Sequence, residues 1–170
     1  MAVEATVFIA AGSNLGDSLL HLGFGVERLH EAAGCRVSRV SPWYRSTALG
    51  PGQQNDYING VIELRTTRQP LPLLELLQEV EAAAGRERKI HWGARTLDLD
   101  MLLYAGIESS DARLTLPHPR LLERNFVVYP LYDLAPSLLL PQGTPIAQLR
   151  RELGDQGLRR LETELSVSIG

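Results

Sequence analysis

Cysteine is almost missing from this chain: Cys35 is the only one in 170 residues. One thiol cannot build an intramolecular disulfide framework, and the composition fits a reducing, cytoplasmic compartment. Aromatic residues are scarce at 6%. Basic residues are not in excess, since 17 Lys and Arg against 20 Asp and Glu leave a net charge of −3. Proteins devoted to non-specific nucleic-acid or anionic-membrane binding carry the opposite bias. No apolar run reaches the ~18 residues that a membrane span needs. The start, Met1-Ala2-Val3-Glu4, lacks the basic and apolar segments of a secretory leader. Several catalytic signatures are also missing: the phosphate-binding G-x-x-x-x-G-K-[ST] loop, G-x-G-x-x-G, H-E-x-x-H, a nucleophile elbow, and zinc-ligand spacing around Cys35. What is present is ordinary globular composition, 44% hydrophobic and 22% charged. A chain of this length buries about two-thirds of its unfolded surface. It is expected to form a single domain over residues 1–170, too short to include a fused second enzyme.

The hydrophobic pattern gives an element order. Thr6–Ala11 is a buried strand ended by Gly12-Ser13-Asn14. Asp17 and Ser18 open a helix with its stripe at Leu19, Leu22, Val26, Leu29 and Ala33. Gly34 stops it, and Gly23 and Gly25 argue against a regular helix. Arg36–Tyr44 is a second strand, and residues 45–56 are a long loop without periodicity. Tyr57–Arg65 is a third strand. Pro70 and Pro72 open a second helix along Leu73, Leu74, Leu77, Val80 and Ala84, which Gly85 ends. A charged loop, 86–95, leads into the strongest strand, Thr96–Tyr104. Pro145–Leu153 suits a further helix, and a short strand can close the remaining segment. Strand, helix, strand, strand, helix, strand is the βαββαβ order of an antiparallel, ferredoxin-like α+β sandwich. An irregular C-terminal extension follows it.

Two pairs of residues stand out. Alternation along a strand puts Asp98 and Asp100 on one face, about 6.6 Å apart along the chain, with Leu97, Leu99 and Met101 on the other. Asp is disfavoured in strands. Arg86, Arg88, Lys89 and Arg95 lie just upstream, and cations beside a dicarboxylate suit a metal-bound polyphosphate. A wet strand face with surface ion pairs would give the same pattern. Tyr57 and Asn59 likewise share a face. A ring beside a carboxamide can hold a flat heterocycle by stacking and edge hydrogen bonds, although ordinary strand packing also uses such pairs.

Longer motifs carry a resemblance. They are Ala11-Gly12-Ser13-Asn14-Leu15-Gly16, Leu49-Gly50-Pro51 with Asp56-Tyr57-Ile58-Asn59, Gly85-Arg86 through Trp92-Gly93-Ala94-Arg95-Thr96-Leu97-Asp98-Leu99-Asp100, and Leu116-Pro117-His118-Pro119-Arg120 with Arg124-Asn125-Phe126. In this order, over about residues 6–140, the sequence resembles the 6-hydroxymethyl-7,8-dihydropterin pyrophosphokinases of folate biosynthesis. The resemblance implies an ATP-dependent diphosphotransferase. It moves pyrophosphate from ATP to the pterin hydroxymethyl oxygen, and AMP leaves.

By the family's motifs, Asp98 and Asp100 would bind two Mg²⁺, and Arg86 and Arg95 would act with them in catalysis. Gln78, Glu81, Arg86, Arg88, Trp92, Arg95, Arg113, Thr115, His118 and Arg124 would contact ATP or lie near it. Gln78 and Glu81, three apart, would share a helix face. Tyr57 and Phe126 would sandwich the pterin and Asn59 would read its edge, assisted by groups near Ser46, Thr47 and Leu49. Ala94 replaces a usual Pro, His91 a frequent Arg, Pro119 a frequent Tyr, and Thr47-Ala48 a frequent Pro pair. These departures touch neither the two Asp nor the Tyr57/Asn59 pair. The implied partners are ATP and the pterin, with no nucleic acid or membrane, and the implied enzyme is a cytoplasmic monomer. The competing expectations are a non-catalytic ferredoxin-like module binding RNA or a small ligand, and a two-metal nucleotidyltransferase.

Overall fold

A computed structural model describes residues 3–47, 56–85, 96–120 and 123–162. The central element is a six-stranded sheet. Its strands are β1 (Ala5–Ser13), β2 (Cys35–Val40), β3 (Tyr44–Ser46), β4 (Tyr57–Thr66), β5 (Asp98–Tyr104) and the short β8 (Leu158–Arg160). β1 lies between β5 and β4. The far edge of β4 is shared by β2 and β3, with β8 beyond β3. Every pairing is antiparallel.

The sheet is covered on both faces. Helices α1 (Ser18–Glu31) and α2 (Pro70–Ala83) cover the first. Val7, Ile9, Ala11, Ile62, Leu64, Leu99 and Met101 from the strands meet Leu22, Val26, Leu29, Leu73 and Leu77 there. Helices α3 (Asn125–Leu134) and α4 (Ile146–Leu153) cover part of the second, where Phe8, Val61 and Leu102 meet Val128, Leu131 and Ile146. Truncating a fully buried Leu in such a layer typically costs about 2–5 kcal/mol.

Several expectations hold. The Asp17 side chain accepts a hydrogen bond from the Leu20 amide at 3.2 Å and caps α1. The stop of α1 is the exception: the helix ends at Glu31 with an extended cap at Ala32, so Ala33 lies outside it, and Gly34, at φ +76°, serves the Ala32–Cys35 turn into β2 instead. Pro stands in the first turn of α2, and β8 is the short closing strand. Others need correction. α1 is regular through Gly23 and Gly25. A Cβ on Gly25 would lie 3.1 Å from Leu97 Cδ2, so this glycine lets the helix pack closely on the residue just before β5. The expected strand 36–44 is two strands, interrupted at Ser41-Pro42-Trp43. Pro42 has no N–H for a ladder, and the Ser41 hydroxyl instead accepts from the Val61 amide at 2.8 Å.

β1 does not stop at Ala11 but continues through Gly12 and Ser13, paired with Asn59 and Ile58. The C-terminal extension is not irregular: after a β6 (Ser109–Asp111) and β7 (Leu114–Leu116) hairpin it contains α3, which was not expected, while α4 matches the helix expected at 145–153. Among the described residues, no helix is long and apolar enough to cross a membrane.

At the sheet end away from α3, Glu63 is only 6% exposed. Its carboxylate accepts from Arg39 and from Ser38, each at 2.7 Å. The Arg39 hydrogen bond above all, helped by Ser38 and opposed by burial, holds this carboxyl below the ordinary carboxylate range. A depressed folded value stabilises the fold above about pH 4 and is lost as pH falls through it. Glu63→Gln is therefore expected to cost about 1 kcal/mol at pH 7, because Arg39 is half exposed. The difference from wild type should shrink in urea melts as the pH is taken down through the acid range. An undiminished difference in acid would contradict this.

Candidate active site

The register of β1 with its two neighbours builds the site. Gly12 pairs with Asp98 of β5 on one side and with Asn59 of β4 on the other. Asn59 in turn pairs with Tyr44 of β3. Two residues along β1, Ala10 pairs with Asp100 and Val61. Paired residues project to the same face, so Asp98, Asp100, Asn59 and Tyr57 share the face that α3 covers. From β5 to β4 is two strand spacings, about 10 Å. On β1, Gly12 and the Ala10 methyl lie between the carboxylates and the carboxamide.

α3 roofs this trough. A cavity of about 620 Å³ is lined by Ala10, Gly12, Ser46, Thr47, Tyr57, Asn59, Gly60, Asp98 and Asp100 from the sheet side. Glu123, Arg124, Asn125, Phe126 and Val127 line it from the start of α3, and Leu153, Gln156 and Gly157 from the end of α4 and the turn after it. Asn125 donates through Nδ2 to the carbonyls of Gly154 and Gln156, both at 3.1 Å, and so ties α3 to that turn. The Thr47 amide donates to the Gly157 carbonyl at 3.3 Å. Tyr44 fixes the roof to the floor: its hydroxyl donates to Asp133 of α3 and its ring meets Tyr129 edge-on. Burial first, and then the Asp133 carboxylate, push the Tyr44 phenol pKa up.

Five of the six expected pterin residues, Ser46, Thr47, Tyr57, Asn59 and Phe126, line this one cavity with both Asp. Leu49 lies outside the described residues. So do Arg86, Arg88, Trp92 and Arg95, and with them His91, Ala94 and Ala48. Of the described ATP residues only Arg124 lines the cavity, with its guanidinium carbon 5.6 Å from the Phe126 ring centroid. The others belong to elements around β5. Arg113 is exposed beside Glu75 of α2, at 3.5 Å, and Thr115 is exposed on β7. The His118 amide donates to the Leu102 carbonyl of β5 at 2.9 Å. Burial lowers the His118 imidazole pKa, Asp100 works against that, and Arg124 and Arg120 add to the lowering. Pro119 is exposed.

Gln78 and Glu81 do not share an environment: Gln78 is exposed and Glu81 is buried. Glu81 Oε2 accepts from the Leu99 amide at 2.8 Å. Among the described residues β5 is an edge strand, and a helix carboxylate takes the place of a strand partner for this amide. The sequence reading missed Gly12, Asn125, Gln156 and Gly157 as cavity residues. Asn125 was visible only as a motif letter, and no local pattern marks the turn at 156–157.

Because Leu99 separates Asp98 from Asp100, the Glu81 bond holds the backbone that carries both. Glu81→Ala is expected to destabilise the fold by about 1–3 kcal/mol, since it leaves a buried amide unpaired. Glu81→Gln, which keeps an acceptor oxygen, should cost less. Urea unfolding of the two variants checks the order, and equal losses would contradict it.

Comparison with known proteins follows the same lines. The family model for 7,8-dihydro-6-hydroxymethylpterin-pyrophosphokinase matches residues 8–136. A Pseudomonas aeruginosa 2-amino-4-hydroxy-6-hydroxymethyldihydropteridine pyrophosphokinase is 41% identical over 155 residues, covering 91% of this chain and 96% of that protein. The Haemophilus influenzae protein of the same name is 38% identical over 156 residues, covering 92% and 98%. Among solved structures, a Plasmodium falciparum HPPK-DHPS protein crystallised with pteroate superposes with a TM-score of 0.71 at 11% identity. That match covers 94% of this chain but 44% of the Plasmodium chain, and it speaks for the fold alone. By its sequence, this chain belongs to the 7,8-dihydro-6-hydroxymethylpterin-pyrophosphokinase family.

Proposed function

We propose that the trough between β5 and β4 is the catalytic site of the pyrophosphokinase that family membership makes this chain. The hydroxymethyl oxygen of 6-hydroxymethyl-7,8-dihydropterin bonds to the β-phosphorus of ATP and releases its proton to solvent. The bond from that phosphorus to the oxygen bridging the α-phosphate breaks, and AMP leaves with that oxygen. The observation that carries this is the shared row: Asp98, Gly12 and Asn59 are cross-strand partners beneath one cavity. A ring read by Asn59 and stacked between Tyr57 and Phe126 would extend its side arm over Gly12 and Ala10 toward the two Asp. Phosphoryl-type transfer depends chiefly on such positioning and on charge stabilisation.

Asp98 and Asp100 are the residues that would hold two Mg²⁺. Among the described residues no group of three or more His, Cys, Asp or Glu could cage a metal. Two carboxylates opening onto a cavity are nonetheless the donor set Mg²⁺ accepts when phosphate oxygens and water complete its shell. When bound, Mg²⁺ supplies neutralisation of phosphate charge and polarisation of the attacking hydroxyl. Arg86 and Arg95 are read as offsetting charge on the leaving oxygens. Arg88, Trp92, Arg113, Thr115, His118 and Arg124 hold the nucleotide, and Gln78 and Glu81 stand near it.

The strand order β5-β1-β4-β2 with α1 and α2 on one face supports the ferredoxin-like reading of the core. The chain is read as one pyrophosphokinase domain, acting in the cytoplasm as a monomer, with ATP and the pterin as its small-molecule partners and neither nucleic acid nor membrane. The RNA-platform and nucleotidyltransferase readings are not favoured by the family match.

Asp98→Asn and Asp100→Asn test the reading. Each is expected to lower kcat on the order of 10³-fold, ~4 kcal/mol of transition-state stabilisation, with unchanged circular dichroism. Near wild-type turnover in either variant would refute the assignment of both carboxylates to the reacting centre.

A further inference from the structure

Gly12 stands in the interior of β1, where glycine weakens a strand and often marks the close approach of another group. Its backbone does not require glycine: Gly12 is not among the glycines with positive φ. The requirement is one of space. A Cβ built on Gly12 would overlap Asn59 Oδ1, and it would lie 3.4 Å from Asn59 Cγ and 3.6 Å from the Ile58 carbonyl oxygen. The Asn59 carboxamide therefore lies across β1, in the room that a side chain on Gly12 would fill. On the other side of Gly12, in the same cross-strand row, stands Asp98.

We propose that Gly12 is a positioning residue for the pterin, because its missing side chain lets the Asn59 carboxamide lie low over β1, on the side of the trough nearer Asp98. This rests on the reading of Asn59 given above and adds a geometric condition to it. With Gly12 in place, the amide edge faces the cavity over bare backbone. With any larger residue there, the amide is pushed back over β4 and the ring it reads is drawn away from the carboxylates.

A double-mutant cycle tests this. Wild type, Gly12→Ala, Asn59→Ala and the double variant are titrated calorimetrically with 6-hydroxymethyl-7,8-dihydropterin, in saturating Mg²⁺ and a non-hydrolysable ATP analogue. The analogue is titrated separately. Gly12→Ala is expected to weaken pterin binding about tenfold and analogue binding less than about twofold. In the Asn59→Ala background, adding Gly12→Ala should change pterin binding less than about twofold, because the group through which it acts is gone. Equal fold-losses in both backgrounds, or no loss in Gly12→Ala, overturn the inference and leave the role of Asn59 standing. Wild-type pterin affinity in Asn59→Ala overturns that role and the inference with it. If Gly12→Ala does not fold alone, the double variant should melt with Asn59→Ala, since the overlap has been removed. Failure to recover overturns the proposal.

Discussion

The antiparallel register of β1 with both of its neighbours is the constraint on which the rest depends. It brings residues from three separate stretches of chain, Asp98, Gly12 and Asn59, into one row on one face. A slip of one residue would turn every side chain of the row to the opposite face. Burial on both sides prevents that slip. Val7, Ile9 and Ala11 are committed to the layer under α1 and α2, and Phe8 to the layer under α3 and α4. These polar side chains are thus placed by hydrophobic alternation, because they occupy the gaps in a pattern that the core fixes.

α3 and the turn after α4 convert an open sheet face into a cavity. Tyr44, bonded to Asp133, sets the distance between floor and roof from the β3 side. Asn125 joins α3 to the turn after α4, and the Thr47–Gly157 hydrogen bond joins that turn to the end of β3. The net charge of −3 conceals an uneven distribution: seven of the seventeen basic residues fall between Arg86 and Arg124. Arg124 brings one of them to the cavity, beside Phe126 and opposite the two Asp.

What the sequence made legible followed from period-two alternation and from helix punctuation. Asp98 with Asp100 and Tyr57 with Asn59 could be paired because each pair lies within one strand. Asp17 marks the start of α1, and Pro70 and Gly85 bracket α2. α3 escaped notice because Pro130 stands inside it, which argues against a helix by local rules, and because a largely apolar helix over a buried face shows little periodicity. By local rules Gly12 beside Ser13 and Asn14 reads as a turn. Only the partner across the sheet explains it. Gln156 and Gly157 reach the cavity through long-range contacts with Asn125 and Thr47, and no local pattern records these.

If both substrates meet on one sheet face, the pterin oxygen attacks ATP directly. Product analysis tests it most directly. The protein is incubated with Mg²⁺, ATP and 6-hydroxymethyl-7,8-dihydropterin, and the products are resolved by ion exchange and mass spectrometry. AMP and a diphosphorylated pterin in equal amounts are predicted. ADP with a monophosphorylated pterin, or release of free pyrophosphate with the nucleotide left on the pterin, would contradict it.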